Sequence, residues 1–139
     1  MDARAMLTLG DQLSAAIAHP TGHRLVGCAA IDPLPAQDRI LRDAIGRARA
    51  AGLWLPRRLY VTWKDVPKDS LICDGSTWHL AAGVVRIYLN GNLGPERLRE
   101  VVYHELQHVS DFVQGFQHTR LELEERAIQF AARMMDYRA

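Results

Sequence analysis

Two histidines four residues apart, His104 and His108, with Glu105 directly after the first, are the residues of this chain best suited to chemistry. In an α-helix, positions four apart stand one above the other at about 5–6 Å between Cβ atoms, so two imidazoles can address one tetrahedral ion. Glu105 then leaves from an adjacent face, where it can serve as general base toward an attacking water. That is the physical meaning of H-E-x-x-H in zinc proteases. A motif this short also arises by chance, as two ordinary histidines on a solvated helix face, so the surrounding sequence has to decide.

A catalytic zinc usually has three protein ligands, and the motif supplies two. The third is expected on the last helix. Thr119-Arg120-Leu121-Glu122 fits a capping box that starts this helix near Arg120, and it should run to about Tyr137. With Leu121 at 0° on a helical wheel, Glu122, Glu125, Arg126, Gln129, Arg133 and Asp136 fall between roughly 40° and 140°, a wet face. Glu124 falls near roughly 300°, among Leu121, Ile128, Ala131 and Met135. A carboxylate pointing inward is costly unless paired or bound to a metal, which makes Glu124 the expected ligand. An ion pair with an arginine such as Arg138 is the alternative for Glu124. His118 is the rival ligand, just before the capped helix, and Asp111 suits the role of acceptor for a ligand imidazole.

The elements that must position these groups have their own signals. Val102, Leu106, Val109 and Val113 form an apolar stripe opposite the two histidines, so one face can enter a core while the other lines a cleft. Pro95 and Glu96 mark the start of this helix and Gly115 its stop. Upstream, helical periodicity appears over residues 3–18 and 36–51, with Ile40, Leu41, Ala44, Ile45 and Ala48 facing inward in the second. Strands are expected at 25–31, 59–63, 76–81 and 84–89, the last two joined as a hairpin by Ala82-Gly83. In the final strand Val85, Ile87 and Leu89 share one face, and Val84, Arg86 and Tyr88 the other. The expected fold is α+β, a small antiparallel sheet of about three strands packed on helices, with the H-E-x-x-H helix followed by the helix carrying the third ligand.

Length and composition fit one domain over residues 1–139: 48% of residues are apolar and 24% charged. A net charge of +1 gives no electrostatic footprint for nucleic acid, and no apolar run reaches the length of a membrane span. Cys28 and Cys73 form no C-x-x-C pair and read as lone thiols, so a cytoplasmic protein is expected.

His104-Glu105-Leu106-Gln107-His108, followed by Glu124-Glu125-Arg126-Ala127-Ile128-Gln129-Phe130-Ala131, resembles the gluzincin metallopeptidases. Within them the small single-domain minigluzincins and the related ImmA/IrrE-like peptidases are similar in size and in the E-x-x-A-x-x-F-A pattern. The likeness covers about residues 84–135. It implies a zincin-like fold, zinc held by His104, His108 and Glu124, and Glu105 as general base and acid. Gln107 stands where ImmA/IrrE-like members carry a small residue. Ile128 stands where many gluzincins carry Asp or Asn, leaving Asp111 to orient a ligand histidine.

The expected activity is zinc-dependent hydrolysis of peptide bonds, with a peptide or protein substrate bound along the strand at 84–89 by strand addition. Tyr103, His79, His118 and Tyr137 each have the chemistry of an oxyanion donor, and no spacing selects one. A zinc-binding module that holds a peptide or protein partner without cleaving it is the alternative, and a metal-free structural α+β domain a third reading.

Overall fold

The computed structural model describes residues 21–68, 70–81, 83–115 and 118–136. The helix expected at 3–18, together with His19, Tyr137 and Arg138, lies outside the described residues. The described elements run in the order α1 (Gly22–Gly27), β1 (Ala29–Ala30), α2 (Pro35–Ala50), β2 (Arg58–Asp65), β3 (Gly75–Ala81), β4 (Val84–Asn90), α3 (Pro95–Val113) and α4 (Arg120–Asp136). The α+β class therefore holds.

The sheet differs from expectation. Among the described residues it has four strands in the order β1-β2-β4-β3, and it is mixed: β2 and β4 run parallel from Arg58↔Val84 to Lys64↔Asn90, while β1–β2 and β3–β4 are antiparallel. Alternation along a strand reveals which side chains share a face but not which strand lies beside it. Here β4 folds back from β3 and inserts between β3 and β2. Its Val85, Ile87 and Leu89 are fully buried. The expected strand at 25–31 is likewise replaced, because Leu25 is buried from within the short helix α1 and only Ala29–Ala30 pair with β2.

Helix α3 is the centre of the molecule. Val102, Leu106 and Val109 are buried as the stripe requires, and Val101, Tyr103, Gln107 and Ser110 are buried as well. The helix thus packs on several sides, with α2 contributing Leu41, Ala44 and Ala48, β4 its three aliphatics, and α4 Phe130, Ala131 and Met134 to one apolar cluster. Its start is set by Gly94 as N-cap and Pro95 in the first turn, where a missing N–H costs nothing. Its end comes at Gly115, whose φ of 70° is left-handed and suits glycine.

Helix α4 begins as the capping box predicts. The Glu122 N–H donates to Thr119 Oγ1 at 3.2 Å, and the Thr119 N–H donates to Glu122 Oε1 at 3.3 Å. Its buried stripe is rotated from the expected one. Leu123, Ala127, Phe130, Ala131 and Met134 are buried, centred near roughly 220° on the same wheel, whereas Leu121 and Ile128 are 67% and 56% exposed. Glu124 consequently stands at the margin of the packed face, beside α3.

Candidate metal centre

Because α3 is regular through the motif, His104 and His108 project from one face, and α4 brings Glu124 across to meet them. His108 Nε2 lies 3.2 Å from His104 Nε2 and 2.9 Å from Glu124 Oε1, and His104 Nε2 lies 3.4 Å from Glu124 Oε2. These three residues are the group among the described residues whose donor atoms lie within 4.8 Å of one another. Tetrahedral bonds of about 2.0–2.1 Å place neighbouring ligand atoms roughly 3.3 Å apart, so the triangle has the size of one face of a zinc tetrahedron. Two imidazoles and one carboxylate are close enough to bind one metal ion, and as a donor set they suit zinc.

The surroundings hold the donors at different depths. His108 is fully buried and stacks at 18° on Phe112, while the side chains of His104 and Glu124 are 19% and 25% exposed. Burial alone would push the Glu124 carboxyl up, but hydrogen bonds and charge from His104 and His108 outweigh it and hold Glu124 well below the ordinary carboxylate range. An ionised carboxylate is the form a cation needs.

His104, Glu105 and Glu124 line a cleft of about 340 Å³ together with Ile72, Cys73, Asp74, Gly75, Arg97, Glu100 and Val101. Glu105 is only 1% exposed and is held by strand β3: the Thr77 hydroxyl donates to Glu105 Oε1 at 2.8 Å. Gly75 lets the same carboxylate lie against the strand, since a Cβ there would stand 2.9 Å from both Glu105 Cγ and Oε2. Cys73 lines the cleft with its thiol pushed up by burial, and Cys28 is likewise a free thiol. Asp74 and Arg97 pair across the cleft at 3.1 Å, and Arg97 also pairs with Glu100.

The other expected site residues fall elsewhere. His118 lies outside the donor group and faces Glu122 at 3.3 Å; hydrogen bonds from Thr119, and after them the one from His118, lower the Glu122 carboxyl. Asp111 does not take the expected place as acceptor for a ligand imidazole. It is fully buried, and its carboxylate is engaged by Arg126, through Nε and Nη2, and by the Gln107 amide. Tyr103 is buried against Phe130. The strand at 84–89 is flanked on both sides, by β2 and β3, so no peptide can add to it. Thr77, Gly75 and Arg126 were missed by sequence reasoning. Only Gly75 carried a signal, as a glycine where a strand begins.

Comparison with known proteins finds no family model, no curated protein and no solved structure that matches the chain. The site's own geometry therefore carries the functional reading. No helix among the described residues is long and apolar enough to cross a membrane.

Proposed function

We propose that the protein is a zinc-dependent peptidase of gluzincin type, with His104, His108 and Glu124 holding the ion and Glu105 acting as general base. The observation that carries this reading is the juxtaposition of a metal-sized donor triangle, whose His104 and Glu124 line the cleft, with a glutamate in the same cleft that is not part of it. Bound there, zinc would polarise a scissile carbonyl and lower the pKa of water toward about 7. Glu105 takes the proton from the attacking water and delivers it to the leaving amine. Thr77 keeps the glutamate on the cleft side of α3 by donating a hydrogen bond to one of its oxygens. A substrate in extended form would add to the outer edge of β3, the sheet edge that adjoins the cleft through Gly75.

A second reading draws on the burial of Glu105, 1% exposed and already engaged by Thr77. In it the chain uses the same ion to hold a peptide or protein partner and cleaves nothing. Glu105→Gln separates the two. Under the peptidase reading, turnover of a mixed peptide library is abolished while zinc stays bound; a native chain that binds zinc and cleaves no peptide would favour the binding module. Cleavage that survives Glu105→Gln would contradict the proposed mechanism.

A further inference from the structure

Both helices that supply the metal ligands are also joined by a charge pair set just beyond those ligands. Asp111 lies three residues past His108 on α3 and Arg126 two residues past Glu124 on α4. The Arg126 guanidinium donates to Asp111 Oδ1 at 2.8 Å from Nη2, and to Oδ2 at 3.1 Å from Nε, a two-pronged contact with defined direction. The Gln107 amide, one residue before His108, donates to Asp111 Oδ1 at 3.1 Å. Asp111 is fully buried, so its carboxylate depends on these partners, and the pairing raises the Arg126 pKa. Helical side chains lean toward the N-terminus of their own helix, which lets Arg126 reach back past Glu124 to α3.

We infer that Asp111, Arg126 and Gln107 form a clamp that fixes the rotation and axial register of α4 against α3, and so sets where Glu124 stands relative to His104 and His108. Arg126 and Asp111 are positioning residues, acting on the ion only through the ligand they hold in place. The inference rests on the metal-centre reading but not on peptidase activity. It accounts for Gln107, which stands where ImmA/IrrE-like peptidases carry a small residue and here has a partner that a small residue could not reach. It also gives Asp111 a role although it orients no imidazole. A turn of α4 by one residue's worth would carry Glu124 about 100° around the helix and away from the histidines. A planar guanidinium held at two points resists that rotation better than the flexible ammonium of lysine.

The test is the zinc affinity of the full chain, measured by competition with a chromophoric chelator, beside the thermal midpoint of the metal-free protein. Asp111→Asn combined with Arg126→Gln removes both charges together and leaves no buried ion unpaired; Arg126→Lys keeps the charge and loses the fork. The double variant should bind zinc about 10–100-fold more weakly than the native chain, the range typical of groups that orient ligands, with Arg126→Lys in between. Leu41→Ala, a core change on α2, should lower the thermal midpoint while leaving zinc affinity within about threefold. Native affinity in a folded double variant would overturn the inference, as would equal weakening by Leu41→Ala. Should the double variant fail to fold, native affinity in Arg126→Lys would overturn it instead. A native chain that binds no zinc would remove the metal-centre reading and this inference with it.

Discussion

Replacing Thr77 by valine keeps the shape of the side chain and removes only the hydroxyl that donates to Glu105 Oε1 at 2.8 Å. Thr77 is 1% exposed and Glu105 equally so, which leaves little room for water to take over the bond. Leaving a buried acceptor without its donor costs about 1–3 kcal/mol, and for a chain of this length that is a fall in thermal midpoint of about 3–10 °C. Thermal unfolding followed by circular dichroism in the presence of chelator measures it. The zinc content of Thr77→Val should equal that of the native chain, because the Thr77 hydroxyl bonds to Glu105 and lies outside the donor group, while peptide turnover should fall as Glu105 loses its anchor. A midpoint within about 1 °C of native would refute the claim that β3 holds the Glu105 carboxyl in place.

Other perturbations follow from the same geometry. Gly75→Ala places a methyl 2.8 Å from Val101 Cγ1 and 2.9 Å from Glu105 Cγ, and should destabilise the protein by about 1–3 kcal/mol and lower turnover with zinc retained, as unfolding and metal analysis would show. Phe130→Ala, in the buried stripe of α4, should cost about 3–5 kcal/mol in urea unfolding, whereas Ile128→Ser on the exposed side should stay within about 0.5 kcal/mol. In metal-free protein the Glu124 carboxyl titrates below its ordinary value of 4.5, so it contributes stability above about pH 4.5 that is lost as pH falls toward the lowered folded value. An acid series of thermal midpoints in chelator should therefore drop more steeply for the native chain than for Glu124→Gln.

What could be read from the sequence is what depends on neighbours along the chain. His104 and His108 share a face because of helical spacing alone, and the Thr119–Glu122 capping box forms within one turn. The helical wheel singles out Glu124, yet its apolar arc is rotated from the packed one. The wheel puts Leu121 and Ile128 toward the core, but they stand in solvent, while Leu123, Ala127 and Phe130 carry the packing. Glu124 reaches the histidines because it lies at the margin of that packed stripe. A carboxylate at its centre would point into aliphatics.

The parts that were illegible are set by distant segments. Nothing in Arg58–Asp65 or Val84–Asn90 announces that the two run side by side in parallel, since that depends on where the connection from β2 delivers β3. Thr77 meets Glu105 only through the packing of β3 on α3. On the wheel Arg126 is one more charge on a wet face. Its long stem carries the guanidinium from that face to a buried acid, a reach that angular position on a wheel does not represent.

The metal centre itself is tested most directly by the zinc-to-chain ratio of protein purified without added metal, native beside Glu124→Ala. A ratio near one in the native chain and near zero in the variant is the expected result. An unchanged ratio in Glu124→Ala would contradict the His104, His108 and Glu124 site, and a native chain that holds no zinc even after the metal is supplied would contradict the centre altogether.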